Sequence, residues 1–394
     1  MMVRTLAEVR ECLEIENRGT WDMPLEPQEI TLVQGRVVSP RLYRYEYPQG
    51  LVPTAWATGQ LCQFLGIPTA YFRRCPSAIQ DTQANYWLQN LAREQAAEAR
   101  KENNVSNSNN KKGGKAERWL LRARGETLRG VLTERYTRLD HLELYEALSP
   151  ALSSEYQVDW FALTDESFHL RLHDNRLYRE ALPGDRLMAG VHIANSEVGK
   201  RAVTVDALVY RLVCTNGLIR KVGGASLLHQ RHIALSRPEF LSSVQQAVQD
   251  AFAHSAAYLE QLAASVAHPI PNIETALHKI ALDWGLTQAT EEAVKEAIQL
   301  EKPSQHETLY GLINGLTSVA RSLGPDERYA LEANAGQLLE TYSPSGSKAP
   351  AAVTPVSASR SVARSGDVGG IATIASSDGF AKEPDRRQLG LFAL

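Results

Sequence analysis

The sequence predicts an α+β protein: a mostly antiparallel sheet domain, followed by a C-terminal helical bundle and a disordered tail. Short apolar runs bounded by turn residues recur as far as residue 235, and short strands joined by tight turns favour antiparallel pairing. Over 236–342 the apolar residues recur every three or four positions, which indicates amphipathic helices. Residues 343–387 are mainly Ser, Ala, Pro, Gly and Val without a single leucine, so this stretch is predicted to be a disordered linker.

Residues 1–98 are predicted to be an N-terminal mixed α/β part of the main domain. Apolar residues at helical spacing predict helices over 6–16, 55–65, 70–74 and 81–98. Runs of strand-forming residues predict strands over 29–38 and 41–47, with a turn at Gln34-Gly35. Residues 99–116 hold five asparagines and almost nothing apolar, which predicts a flexible Asn/Lys-rich loop.

Residues 117–235 are predicted to be an antiparallel β-rich core. Hairpins are expected at 117–133 and 158–173, with a short helix at 141–148 between them. The stretch 185–220 organises this core, because it holds two apolar runs, 187–194 and 202–214, separated by the polar break 195–200. Apolar and mixed positions alternate in the second run, which is typical of a sheet buried on one face.

Residues 236–342 are predicted to be a helical bundle. Ser236 and Glu239 form a capping-box pattern at the start of a long apolar stripe that ends at Pro269. Further helices are expected over 273–284, 291–301, 306–323 and 327–342. Ser304 and Glu307 form a second capping-box pattern before the third of these helices.

The composition predicts a cytoplasmic protein that does not cross a membrane. The 394 residues are 43% hydrophobic and 22% charged, and the formal net charge is −3. Any contact with nucleic acid must therefore come from a local basic patch. The four cysteines form no CxxC pair, and the sequence has neither a signal-peptide core nor about 18 successive apolar residues. No cofactor or metal is predicted.

A local basic stretch lies between residues 101 and 138, where ten Lys and Arg residues face four Asp and Glu residues. A basic loop that leads into basic strands, with Trp119 and Tyr136 interleaved, is typical of a surface that follows phosphates and stacks bases. The alternative is a solvated surface balanced by acidic neighbours. The predicted DNA-binding residues are Lys111, Lys112, Lys115, Arg118, Arg122, Arg124, Arg129 and Arg135, with Arg138 beside them.

The last residues, 388–394, read QLGLFAL and follow the leucine-free linker. Such an apolar cluster either folds back onto the body or anchors in the groove of a partner. It resembles the pentapeptide with which bacterial polymerases, repair proteins and clamp loaders bind the β sliding clamp. The resemblance implies that Gln388 hydrogen-bonds at the pocket mouth, that Leu391 and Phe392 fill the pocket, and that Leu389 supports them. A linker of this length spans about 35–40 Å as a random coil, enough to tether a partner.

Signals for an enzyme are weaker. Residues 190–201 suggest a phosphate loop, but Ala194 and Arg201 stand where such a loop needs Gly and Ser or Thr. The alternative function is a metal-dependent nuclease or nucleotide-modifying enzyme built around 195–197 with His169, His173 or His192, although a polar hairpin connection explains these residues more simply. A protein-binding anti-defence or regulatory factor is a third alternative.

Several segments resemble a bacterial family found on phages and plasmids. Residues 129–140 (RGVLTERYTRLD) resemble its signature R-x-V-L-S-x-R-Y-x-x-x-D, with Thr133 at the serine position. Residues 194–199 (ANSEVG) resemble its element SNSE-x-G, with Ala194 at the first serine, and 210–218 (YRLVCTNGL) resemble a third element. Residues 309–321 (LYGLINGLTSVAR) fit its C-terminal region. The family is a domain of unknown function, so the resemblance implies a mobile-element context.

These observations together predict a non-enzymatic protein of DNA metabolism, acting in replication, recombination or repair. It would bind single-stranded DNA through the basic stretch and recruit the sliding clamp through its tail. The oligomeric state is left open, with a homo-oligomer among the alternatives.

Overall fold

The computed structural model confirms the α+β class, with antiparallel-rich sheets and, in the part of the chain that it describes, eleven α-helices. The structure describes residues 5–44, 47–105, 118–212, 216–221, 225–232 and 237–342. The predicted disordered linker, the docking motif, Ser236 of the first capping box and Lys111, Lys112 and Lys115 lie outside the described residues. None of the helices within that described part is long and apolar enough to cross a membrane.

The chain forms two compact units that interleave along the sequence. Unit 1 holds residues 1–172, 193–205 and 228–248. Unit 2 holds residues 173–192 and 206–227 and, of the described residues after 248, those from 249 to 342. The sequence instead predicts segments that follow one another, and periodicity alone carries no sign of this interleaving.

The helices and strands of unit 1 lie mostly in the first 163 residues. Its α-helices are α1 (Leu6–Arg18), α2 (Pro40–Arg44), α3 (Ala55–Phe64), α4 (Thr69–Arg74), α5 (Ser77–Val105) and α6 (His141–Leu148). Its strands over the same part of the chain are β1 (Thr20–Leu25), β2 (Thr31–Val33), β3 (Arg36–Val38), β4 (Val52–Pro53), β5 (Trp119–Arg124), β6 (Thr127–Thr133) and β7 (Tyr156–Leu163).

Unit 1 is built on a four-stranded sheet with the order β1-β5-β6-β4. β1–β5 and β5–β6 pair antiparallel, whereas the short β4 pairs parallel to β6. A small hairpin, β2–β3, turns at Gln34-Gly35 as predicted, and the carboxylate of Asp81 on α5 accepts both turn N–H groups. The core lies between this sheet and α3, α4 and α5, and its largest fully buried side chains include Trp119 and Phe72.

The predicted central hairpin belongs to a six-stranded sheet. The longer strands of that sheet are β8 (Phe168–Leu182), β9 (Asp185–Asn195) and β10 (Val203–Arg211), and β11 (Asn216–Arg220) and β12 (Leu228–Gln230) both pair with β10. The order β11-β10-β9-β8-β7 follows the chain, so the sheet is a meander with β12 added. Every residue of β10 is buried, so the expectation of a sheet buried on only one face is wrong for this strand.

Unit 2 contains the predicted helical bundle. Its helices are the later part of α7 (Arg237–Ala264), with α8 (Ile273–Trp284), α9 (Gln288–Gln299), α10 (Leu309–Ala320) and α11 (Pro325–Tyr342). They share one core with apolar residues of β9, β10 and β11. Within this core, the Arg211 guanidinium is buried between the carboxylates of Asp185 and Glu301, and the Tyr310 hydroxyl donates to Asp185.

Three local predictions are wrong. The strand predicted over 41–47 is not formed at 41–44, because these residues belong to the short helix α2 that begins at Pro40. Residues 99–105 are not part of a loop, because α5 continues through them to Val105 and favourable helix formers such as Glu, Ala and Arg support it there. The cap before α10 is Thr308, whose hydroxyl accepts the Gly311 N–H, and not Ser304.

Candidate functional site

The family-like segments meet in unit 1. Arg129 lies on β6, Tyr136 follows that strand, His141 begins α6, and the run 195–197 lies at the end of β9. We call these side chains, with those they bind directly, the signature cluster. Its members are Asp22, Arg122, Arg129, Tyr136, Asp140, His141, Asn195, Ser196, Glu197 and His232.

Glu197 is the centre of the signature cluster. One carboxylate oxygen, Oε2, accepts from Arg129 Nη1 at 2.8 Å and lies 3.5 Å from Arg122 Nη2. The other oxygen, Oε1, accepts the backbone N–H of His141 at 2.7 Å. Glu197 thereby caps α6, although it lies 56 residues from His141 in the sequence.

The residue that precedes α6 in the chain, Asp140, does not cap the helix with its side chain. Its carboxylate instead accepts a hydrogen bond from Arg122, which also lies 3.4 Å from Asp22. The two buried guanidinium groups of the cluster, Arg122 and Arg129, therefore face three carboxylates. Such pairing leaves no excess positive charge to attract a phosphate group.

Hydrogen bonds from neighbouring side chains fix the backbone around Glu197. The Tyr136 hydroxyl donates to the Ser196 carbonyl at 2.9 Å, and Trp56 Nε1 and Gln60 Nε2 on α3 both donate to the Val198 carbonyl. The Ser196 hydroxyl donates to the Glu166 carbonyl at 2.6 Å. Residues 196–202 connect the neighbouring strands β9 and β10, as predicted for a hairpin connection, and within this stretch of the chain 195–197 are buried.

The buried histidines of the cluster are neutral at physiological pH. Burial lowers the pKa of His141 to about 4, and nearby Arg129 and Arg122 lower it further against the opposing effect of Glu197. Burial also lowers the pKa of His232 to about 4, and its ring stacks on Tyr136 with centroids 5.0 Å apart. Burial raises the pKa of the Tyr136 hydroxyl well above its usual range.

Glu197 stays ionised despite its burial. Burial alone would raise the pKa of this carboxyl, but His141, which is protonated only at acid pH, and the charged Arg122 and Arg129 lower it to about 2. Asn195 Nδ2 contacts His141 Nδ1 at 3.0 Å, and the opposite ring nitrogen, Nε2, is buried without a hydrogen bond.

A cavity of ≈ 10 Å³ lies beside Arg129, His141 and Glu197. This volume is close to the smallest that holds one water molecule, so a nucleotide or metabolite does not fit. The hydrogen bonds and ion pairs of this buried, charge-balanced cluster join α6, β5, β6 and the end of β9 within unit 1.

The structure divides the predicted DNA-binding residues into three groups. Arg122 and Arg129 are only 1% and 3% exposed and bind carboxylates, so their assignment to a DNA-binding surface is wrong. Both lie on central strands of the four-stranded sheet, where side chains have little access to solvent. Arg124, the third residue of this first group, is half-buried and pairs with Glu16 and Asp165.

The second group, Arg118, Arg135 and Arg138, is exposed. Arg118 lies 3.8 Å from a Glu26 carboxylate oxygen, and Arg138 lies 3.0 Å from an oxygen of Asp22. Exposed ion pairs of this kind are weak and can exchange their partners for phosphates. The third group, Lys111, Lys112 and Lys115, lies outside the described residues.

The aromatic residues expected to interleave with the basic stretch are also placed elsewhere. Trp119 is 1% exposed and stacks on Phe64 with ring centroids 5.0 Å apart. The Tyr136 ring stacks on His232, and its hydroxyl donates to the Ser196 carbonyl. Neither ring is free to stack on a base, so that part of the prediction is wrong.

The enzyme alternative named His169, His173 and His192, but the histidine that the structure brings to Glu197 is His141. Across the residues whose placement is described, no three His, Cys, Asp or Glu side chains are grouped so that they could hold a metal ion. Sequence reasoning missed His141, His232 and Asp22 as cluster members. Tyr136 and Asp140 could have been found, because both occur in the signature-like segment.

Comparison of the chain with protein-family models, with curated proteins and with solved structures found no match.

Proposed function

We propose that this chain is a non-enzymatic protein of DNA metabolism that binds single-stranded DNA and recruits the β sliding clamp in replication, recombination or repair. The observation that carries the proposal is the pentapeptide Gln388–Phe392, which follows 45 residues without a leucine. An isolated apolar group on a polar segment has no core of its own to enter, which favours docking into a partner's groove.

The proposed partner explains each side chain of the pentapeptide. Leu391 and Phe392 would fill an apolar pocket of the clamp, Gln388 would hydrogen-bond at its edge, and Leu389 would support the anchor. Fully burying one such apolar side chain contributes about 1.5–3 kcal/mol, so two anchors are sufficient for a specific but reversible contact.

The signature cluster supports a non-enzymatic function. Its two guanidinium groups are matched by carboxylates, its histidines are neutral, and its cavity has room for about one water molecule. We also propose that the chain belongs to the phage- and plasmid-associated family that its signatures resemble. In support, two signature-like segments that are far apart in sequence, 129–140 and 194–199, join in one buried cluster.

A cytoplasmic location is part of the proposal. The cysteines among the described residues, Cys12, Cys62 and Cys75, are all free, as is typical of a reducing compartment.

The clamp half of the proposal is tested with purified full-length chain and a purified bacterial β clamp. We expect the double variant L391A/F392A to bind the clamp at least about tenfold more weakly, because each truncation removes buried apolar surface. The matched control is F380A, which removes a phenylalanine from the same segment outside the pentapeptide and should bind as the native chain does. Equal affinity of the native chain and L391A/F392A, or no binding by either, would overturn the clamp assignment.

The DNA half is tested by titrating a single-stranded oligonucleotide at several salt concentrations. Phosphate contacts release counterions, so the logarithm of affinity should fall linearly with the logarithm of salt concentration. The triple variant K111A/K112A/K115A should have a shallower slope if these lysines contact phosphates. An unchanged slope would remove the lysines from the DNA contact.

A further inference from the structure

Large apolar side chains are exposed on one part of unit 1. Tyr71 on α4 is 54% exposed, and Tyr86 and Trp87 on α5 are 57% and 46% exposed. Helix α5 packs into the core of unit 1 through other residues, Ala84 and Leu88. The exposed aromatic rings are therefore not needed for the packing of this helix.

These rings lie close to one another. Gln83 on α5 donates from Nε2 to the Tyr71 hydroxyl at 3.2 Å, which brings α4 against that turn of α5. Tyr86 and Trp87 lie three and four positions after Gln83, so they occupy the next turn on the same side. The rings of Tyr86 and Trp87 meet edge to face, with centroids 5.3 Å apart. We call Tyr71, Tyr86 and Trp87 with their arginine neighbours the α4–α5 surface.

The charge around these rings is positive. Arg74 lies one turn after Tyr71 on α4, and Arg93 lies two turns after Tyr86 on α5, and both are exposed. Neither has a carboxylate partner among the residues whose side chains the structure describes.

We infer that the α4–α5 surface binds single-stranded DNA. Bases stack on Tyr71, Tyr86 and Trp87, while Arg74 and Arg93 contact the adjacent phosphates. Every base has a π face, so such stacking tolerates many sequences, and the arginines supply the charge complementarity. This inference rests on the proposed DNA-binding function and relocates the contact, since Arg122, Arg129 and Trp119 are buried.

Duplex DNA does not fit the same chemistry. Its bases are already stacked on one another, so their faces are not accessible to aromatic side chains on a helix surface. An apolar protein partner would use the rings but would leave Arg74 and Arg93 without phosphates or carboxylates. The combination of rings and unpaired cations therefore favours an unpaired nucleic-acid strand.

The test measures binding of a fluorescent oligo(dT) of about 20 nucleotides to the full chain by anisotropy. The variant Y86A/W87A should bind at least about 30-fold more weakly with the salt slope unchanged, because it removes two stacking rings and no charge. The variant R74A/R93A should reduce the salt slope by about 1.4, the effect of two phosphate contacts on a single strand. The matched control is Y178A, which removes an exposed tyrosine of β8 in unit 2.

The outcomes separate this inference from the proposed function. Native binding that Y86A/W87A leaves within twofold would overturn the α4–α5 surface and leave DNA binding intact. Absence of any binding by the native chain would overturn the DNA half of the proposed function, and this inference with it. Equal competition by duplex DNA, or tighter binding of a matched oligo(U) RNA, would also overturn it. Circular dichroism of each variant checks folding, and the exposure of all five substituted side chains predicts native spectra.

Discussion

Substituting Glu197 with glutamine should destabilise unit 1 strongly, although the two side chains have nearly the same shape. Both carboxylate oxygens of Glu197 accept hydrogen bonds, one from Arg129 and one from the His141 backbone. Glutamine has only one acceptor oxygen, so its NH₂ group must face one of these donors in either orientation. The substitution also leaves Arg122 and Arg129 with less compensating charge.

The magnitude follows from the pKa of Glu197. Its carboxyl has a pKa of about 2 in the folded chain against an ordinary value of 4.5. This difference corresponds to at most about 3 kcal/mol, because His141 contributes its charge only at acid pH; at neutral pH the stabilisation comes from Arg122, Arg129 and the His141 N–H, and breaking a buried ion pair typically costs about 3 kcal/mol or more. Because the folded pKa is depressed, the contribution is fully present above pH 4.5 and is lost as the pH falls toward about 2.

The assay is urea unfolding of the native chain and E197Q, followed by tryptophan fluorescence at pH 7, 5 and 4. We expect E197Q to be less stable by about 3 kcal/mol at pH 7 and pH 5, with a smaller difference at pH 4. The matched control is E146Q on α6, because Glu146 is exposed and its pair with Arg10 should contribute less than about 1 kcal/mol. A deficit below about 1 kcal/mol for E197Q at pH 7 would refute the assignment of Glu197 as the centre of the cluster.

Two further predictions concern the folded state. Burial lowers the pKa values of His141 and His232 to about 4, so the unfolded chain binds more protons than the folded chain between pH 6.5 and 4. The free energy of unfolding should therefore fall by about 3 kcal/mol from pH 7 to pH 5. Equal urea midpoints at the two pH values would contradict this. Alanine substitutions at two helical glycines should have opposite effects on stability. G336A places a Cβ 2.1 Å from the Ile219 carbonyl oxygen and should lower the free energy of unfolding by about 2–3 kcal/mol. At Gly59 the nearest atom to an added Cβ is 3.9 Å away, so G59A should raise the free energy of unfolding by about 0.5–1 kcal/mol. Thermal unfolding of both variants checks the signs, and destabilisation by G59A or a neutral G336A would show that the packing is misassigned.

Local signals in the sequence were sufficient to predict a helix or strand whose bounds are determined by the residues at its two ends. The helix at 273–284 was predicted with its observed bounds, because Asn272 caps its first turn and Gly285 adopts the left-handed conformation at its end. Prediction failed where a boundary depends on other parts of the chain. Helix α5 runs into a segment with little apolar character, and the two units share their longest strands, β8 to β10. Neither feature leaves a periodic trace.

The candidate site was predictable only in part, for a related reason. The signature-like segments contain Arg129, Tyr136, Asp140 and Glu197, but a sequence does not reveal whether an arginine faces solvent or a carboxylate. Asp22 pairs with Arg122 across 100 positions, and Glu197 reaches Arg129 across 68. The basic stretch was therefore interpreted as a surface, while part of it lies in the core. Charge density along a sequence indicates nucleic-acid binding only when tertiary pairing leaves it exposed.

The most direct test of the central claim asks whether the chain connects DNA to the clamp. A single-stranded oligonucleotide is fixed to a sensor surface, the full-length chain is bound to it, and purified β clamp is then passed over the surface. We expect the clamp to be retained on DNA that carries the native chain, and to be lost when the chain carries L391A/F392A, which leaves the α4–α5 surface intact. Equal retention with both chains, or no retention with the native chain, would contradict the proposed function.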